Sequence, residues 1–185
     1  MRVISGKCRG TKLEAPEGLT TRPTTDRIKE TLFNIIAFDI PNCNFLDLFS
    51  GSGAIGIESL SRGAKKAVFV DSNRLALDCI EKNLLKTRLK EYSHIYPLDV
   101  LSALKEMEKN GEKFDIIFMD PPYRLEFIAE ILQKVIDYDL LSEEGYIILE
   151  RSSNTTIPIV KNLVLWKEKR YKTTTINFFR KDSIK

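Results

Sequence analysis

The stretch Phe45-Leu46-Asp47-Leu48-Phe49-Ser50-Gly51-Ser52-Gly53-Ala54-Ile55-Gly56 leads from a short apolar strand, Asn44–Phe49, into a helix over Gly53–Arg62. Gly51, Gly53 and Gly56 form a G-x-G-x-x-G pattern at that turn. Glycines there let the backbone turn tightly and approach a ligand closely. The pattern is weak alone, because glycines between a strand and a helix often serve only packing. Its context adds weight. The next strand, Ala67–Val70, ends on Asp71, twenty residues past Gly51. An acid at the end of the second strand can accept hydrogen bonds from ribose hydroxyls, and it could equally cap the next helix.

Beyond Asp71, helix and strand alternate. Arg74–Lys86 carries Leu75, Leu77, Ile80, Leu84 and Leu85 as an amphipathic helix. Ser93–Tyr96 is a weak strand, Val100–Lys109 a helix, Phe114–Met119 a strongly apolar strand, Leu125–Val135 a helix and Gly145–Glu150 a strand. Asn162–Tyr171 and Thr173–Phe179 are strands with no helical pattern between them, so they should pair antiparallel at an edge. Upstream, Arg2–Ser5 and Thr11–Ala15 read as limbs of a hairpin turning through Gly6 and Gly10. A helix follows over Asp26–Phe38, with Thr24 or Thr25 as its N-cap. The expected fold is α/β: a Rossmann-like, seven-stranded, mostly parallel sheet with an antiparallel C-terminal edge pair, plus a small N-terminal β-hairpin and helix. One domain over residues 1–185 is expected, with 1–38 as an extension.

Bulk properties narrow the classes. With 43% hydrophobic and 30% charged residues the 185-residue chain suits a folded, cytoplasmic protein. No apolar run approaches the roughly 20 residues of a membrane span, and the N-terminus lacks a secretory pattern. Cys8, Cys43 and Cys79 are too scattered for a disulfide framework, and one histidine leaves little material for a metal site, so no metal is expected. Net charge is only +3, but Arg2, Lys7, Arg9 and Lys12 crowd the start, and Lys161, Lys167, Lys169, Arg170, Lys172, Arg180, Lys181 and Lys185 the end. Basic ends fit a polyanionic partner or a plain solvated surface.

Two acids choose between the cofactors that a glycine turn and Asp71 would suit. Asp47 precedes the turn; a carboxylate there suits the cationic amino-acid portion of S-adenosylmethionine and would repel a pyrophosphate. Leu98-Asp99-Val100 follows the third strand, where an acid beside an apolar residue can bind an adenine amino group and cover its face. Asp99 alone would more often be an N-cap. The expected cofactor residues are Asp47, Phe49, Gly51, Gly53, Asp71, Ser72, Asp99 and Val100.

Asp120-Pro121-Pro122-Tyr123 follows the apolar strand Phe114–Met119. In an open α/β sheet, ligands bind at that end of the strands. The prolines remove two N–H donors, which leaves nearby carbonyls available. Asp120 can accept one hydrogen of an exocyclic amine and the Pro121 carbonyl the other, while Tyr123 stacks on the base. Catalysis of methyl transfer to such an amine is chiefly orientation and electrostatics.

Asp47–Gly56, Asp71, Asp99 and Asp120–Tyr123 in this order resemble the class I Rossmann-like methyltransferases. Val3-Ile4-Ser5-Gly6, Arg9-Gly10, Lys12-Leu13 and Pro16, the run Arg22-Pro23-Thr24-Thr25-Asp26-Arg27-Ile28-Lys29-Glu30-Thr31-Leu32-Phe33-Asn34, and Ser59-Leu60-Ser61-Arg62-Gly63-Ala64 narrow the resemblance to the RsmD family. It implies a 16S ribosomal RNA guanine-N2 methyltransferase, with Asp120 and Tyr123 as amine-binding and base-stacking residues. It also implies that Arg22 and Thr24 help close the pocket. Arg2, Lys7, Arg9 and Lys12 are expected to meet the RNA, whether naked 16S rRNA or the small-subunit particle, and the protein is expected to act as a monomer. Two departures stand out: Asp71 where the family often has Glu, and Lys172 where it commonly has Gly.

Other readings compete. The motif alone fits adenine N6 in DNA or a protein glutamine. DNA enzymes usually carry a recognition domain for which 185 residues leave little room, and glutamine enzymes favour Asn at position 120. A non-catalytic RNA-binding assembly factor is a rival of another class. An NAD-dependent oxidoreductase fits the glycines but not Asp47 or the strand-rich tail.

Overall fold

Strands β1 (Asn44–Leu48), β2 (Lys66–Val70) and β3 (Ser93–Tyr96) pair in parallel, with Asp47 opposite Phe69 and Val68 opposite His94. Their near-continuous apolar residues suit strands buried on both faces. The structure is a computed structural model that describes residues 1–16, 26–122, 125–157 and 159–182. Its Cα packing separates two compact units, Met1–Leu98 and Asp99–Lys185.

In the first unit, helix α1 runs over Asp26–Ile35, ending before the expected Phe38. Asp39 donates its N–H to the Ile36 carbonyl at 3.0 Å, and Pro41 and left-handed Asn42 (φ 65°) turn the chain toward β1. Helix α2 (Ala54–Ser61) is buried along its whole length. A Cβ on Gly56 would come within 2.4 Å of the Phe69 ring, so only glycine lets α2 lie this close to β2. Helix α3 (Arg74–Thr87) buries Ala76, Cys79, Ile80, Asn83, Leu84 and Thr87. Leu75 and Leu85 lie off that stripe and face solvent.

The N-terminal strands shrink to one antiparallel bridge, Arg2 to Lys12. Side chains of the helices take the backbone groups a longer ladder would have used. Glu58 accepts the N–H groups of Ile4 (2.8 Å) and Ser5 (3.0 Å), and Asn83 accepts that of Glu14 (2.8 Å). Gly6 sits at φ 84°, where a Cβ would lie 1.9 Å from the Ser61 carbonyl oxygen. No other residue fits this docked turn.

In the second unit, β4 (Phe114–Met119) pairs in parallel with β5 (Leu141–Ser152). Strand β7 (Thr174–Lys181) runs antiparallel to both β5 and β6 (Leu163–Arg170). Helices α4 (Val100–Lys109) and α5 (Leu125–Asp137) complete it. β5 begins four residues earlier than its apolar run indicates. The register shifts between Phe114 and Ile116, and the Ser142 hydroxyl donates to the Phe114 carbonyl at 2.9 Å, which lets polar residues join the strand. The strand order is β3-β2-β1-β4-β5-β7-β6 in a seven-stranded sheet, mostly parallel with an antiparallel C-terminal pair.

Candidate active site

The glycine turn begins where β1 ends. Phe49, Gly51 and Gly53 take φ values of 61°, 54° and 75°. Left-handed geometry is uncommon for a residue such as Phe49 and is often kept at ligand sites. Asp47, 1% exposed, accepts the Gly56 N–H at 2.9 Å. That N–H is one of the unpaired donors at the start of α2, where the helix dipole favours an anion. Burial and that bond make Asp47 a brace beneath the turn.

Asp71 is fixed by two backbone donors, Gly51 N–H and Asn73 N–H, each at 2.9 Å on a different carboxylate oxygen. Capping α3 falls to Asn73, whose side chain accepts from Leu75 and Ala76. Asp71 therefore joins the second strand end to the glycine turn, and each oxygen keeps acceptor capacity for a diol. Ser72 is exposed next to it. A Cβ built on Gly51 would meet nothing within 4 Å, so space for a ligand opens at the turn. This donor and acceptor set fits the ribose of an adenosyl cofactor.

In the second unit, Asp99 is the N-cap of α4: its oxygens accept the Ser102 N–H at 3.0 Å and the Ser102 hydroxyl at 2.7 Å. Those bonds hold its carboxyl below the usual range. The capping alternative is thus what the side chain does, with remaining lone pairs for a ligand. Val100 is buried behind it. Asp120 follows the last residue of β4. Its side chain is open to solvent yet surrounded by protein, and the resulting desolvation pushes its carboxyl up to about 6. Burial rather than a neighbouring acid causes that shift, and a carboxyl displaced toward neutrality at a strand end marks a candidate functional acid. Pro121 is half-buried and Pro122 exposed. Tyr123, Arg22, Thr24 and Thr25 lie outside the described residues.

Arg2, Lys7, Arg9 and Lys12 are all exposed on the docked N-terminal turn, although Arg2 faces Asp26 at 3.5 Å. Sequence reading missed what holds that turn. Lys29 Nζ lies 3.4 Å from Glu58 and donates to the Arg2 carbonyl, and both side chains are fully buried. Arg62 donates to Glu58 at 2.8 Å and lies over the Phe33 ring. Burial lowers the Lys29 pKa, and Glu58 beside it opposes the shift. Asn83 ties residue 14 to the glycine turn, donating to the carbonyls of Glu14 (3.0 Å) and Ser52 (2.9 Å). The signal was present: Glu58 is the one charge in an otherwise buried helix, and Lys29 shares the face of Leu32 and Phe33.

The strand order and the strand-end glycine turn define a class I Rossmann-like methyltransferase fold. The solved structure "Putative methyltransferase yhhF from Escherichia coli" superposes with a TM-score of 0.87 at 34% identity, covering 99% of this chain and 98% of that one. "Putative rRNA methyltransferase YlbH" of Bacillus subtilis (strain 168) is 37% identical over 182 residues, 98% of this chain and 99% of the relative. "Ribosomal RNA small subunit methyltransferase D" of Escherichia coli (strain K12) is 35% identical over 170 residues, 91% of this chain and 84% of the relative. A family model described as "Conserved hypothetical protein 95" matches residues 1–180. The chain belongs to that family, the RsmD family whose motifs its sequence carries.

Proposed function

We propose that this protein methylates ribosomal RNA with S-adenosylmethionine, its target being the exocyclic N2 amine of a guanine in 16S RNA of the small subunit. The observation that carries this reading is Asp120, a carboxyl group of raised pKa at the end of β4, followed by two prolines. Relatives named for small-subunit RNA methylation supply the carrier. The chain is read as one methyltransferase domain acting as a cytoplasmic monomer. Among the described residues no helix is long and apolar enough to cross a membrane.

S-adenosylmethionine, when bound, supplies an electrophilic methyl group. The work of the chain is to hold and orient. Asp71 and the Gly51 turn hold the ribose, Asp47 keeps the turn in shape, and Asp99 with Val100 borders the adenine. Asp120 accepts one N–H of the target amine and the Pro121 carbonyl the other, so the nitrogen lone pair is aimed away from both. An Asp120 oxygen is then placed to take the proton the amine gives up. Tyr123 stacks on the guanine, and Arg22 and Thr24 close over it. Arg2, Lys7, Arg9 and Lys12 meet phosphates.

The acceptor must be ionised, so the rate should rise with pH through about 6 and level off above it. The sign on stability is opposite. A carboxyl raised above its ordinary 3.8 loses stabilisation as pH climbs between about 4 and about 6, so its ionisation cannot imitate this limb by unfolding the protein at low pH. Tritiated methyl transfer to small-subunit particles across pH checks it. A profile flat down to about pH 5 would remove Asp120 from the acceptor role.

A further inference from the structure

β6 ends the sheet, and its register against β7 shifts between Leu165 and Lys167. Trp166, the only tryptophan of the chain, is the extra residue at that shift. A bulge re-aims a side chain, and an edge strand leaves it uncovered. The indole is 44% exposed. It rests on Phe178 and Tyr146, with ring centroids at 6.1 and 5.8 Å. The Arg180 guanidinium carbon lies 4.0 Å from the indole centroid and Lys167 Nζ at 5.7 Å.

The two faces of this strand pair differ. On one, Glu168 is consumed by Arg151, Arg170 and Asn177. On the other, no carboxylate among the described residues lies within ion-pair distance of Lys167 or Arg180. Lys169 is exposed on β6, and Lys172 is exposed just past its end. An indole stacked with a guanidinium, backed by aromatics and flanked by Lys167, matches what single-stranded nucleic acid requires: flat surfaces for bases and positive charge for phosphates.

We propose that Trp166, Arg180 and Lys167 form a stacking platform for an unpaired base of the RNA substrate, apart from the methylation motif. The proposal rests on the RNA reading above and adds a second point of contact. Holding the strand at two places would fix the register of the target guanine.

The lone tryptophan is its own reporter. The full chain is titrated at low salt with a dye-labelled single-stranded RNA of about twelve nucleotides. Dye anisotropy and tryptophan emission are expected to change with one midpoint. Trp166→Leu and Arg180→Ala should each weaken binding roughly 5- to 100-fold by anisotropy, with S-adenosylmethionine affinity by calorimetry unchanged. RNA binding with neither a change in emission nor a loss in either variant would overturn the platform and leave the RNA reading standing. No anisotropy change with this RNA or with 16S RNA would overturn both. Emission that changes with protein concentration alone would assign the face to a second copy. Quenching by small-subunit particles but not by their stripped RNA would assign it to a ribosomal protein. Either assignment overturns the proposal.

Discussion

Asp120→Ala should lower the methylation rate about 10²- to 10³-fold while leaving S-adenosylmethionine affinity within about twofold. In the proposed arrangement the carboxylate meets the amine while Asp71 and the glycine turn hold the ribose, so its loss should fall on the chemical step. With alanine, the Pro121 carbonyl is the remaining acceptor. The amine can rotate, and misorientation alone carries a penalty of this size. Asp120→Asn should fall between: its carbonyl accepts an N–H but cannot take the proton. Single-turnover transfer of a tritiated methyl group, beside calorimetry with the cofactor, separates the two effects. Unchanged turnover in the alanine variant would contradict the role given to Asp120.

Glu58→Ala should destabilise the fold by about 3–5 kcal/mol. It strands the buried Lys29 ammonium with the Arg2 carbonyl, and it leaves the N–H groups of Ile4 and Ser5 without their acceptor. For a chain of this size that is a fall in Tm of roughly 6–20 °C. Glu58→Gln should cost less, because an oxygen remains for one of the backbone donors. Thermal melts followed by circular dichroism read the series. An alanine variant melting within about 2 °C of the wild type would show that the pair does not hold the N-terminal turn.

The parallel core was legible because strands buried on both faces are written as short apolar runs, as in Phe114–Met119, with glycine at the turns. The glycine turn and the three strand-end acids were legible as positions. Their local bonding was not, since spacing cannot show that Asp47 lies under the turn on Gly56 or that Asn73 rather than Asp71 caps α3. Strand ends were misread where polar residues join a ladder through side-chain bonds, as at Ser142. The N-terminal hairpin was legible from Gly6 and Gly10, and backbone bonds from Val3 to Thr11, Gly10 to Val3 and Leu13 to Met1 join its limbs. What the sequence did not show is that Glu58 and Asn83 accept the N–H groups of Ile4, Ser5 and Glu14. Lys29 and Glu58 each stood out as a charge on an apolar face, but they lie 29 positions apart, and local pattern alone does not pair them.

Guanine N2 in 16S RNA is the central claim, and base composition of the product decides it. Small-subunit particles from cells lacking this protein are incubated with the purified chain and tritiated S-adenosylmethionine, and the 16S RNA is digested to nucleosides. The account predicts N2-methylguanosine as the one labelled nucleoside, with the label greatly reduced by Asp120→Ala. Label in N6-methyladenosine, or in protein with none in the RNA, would contradict it.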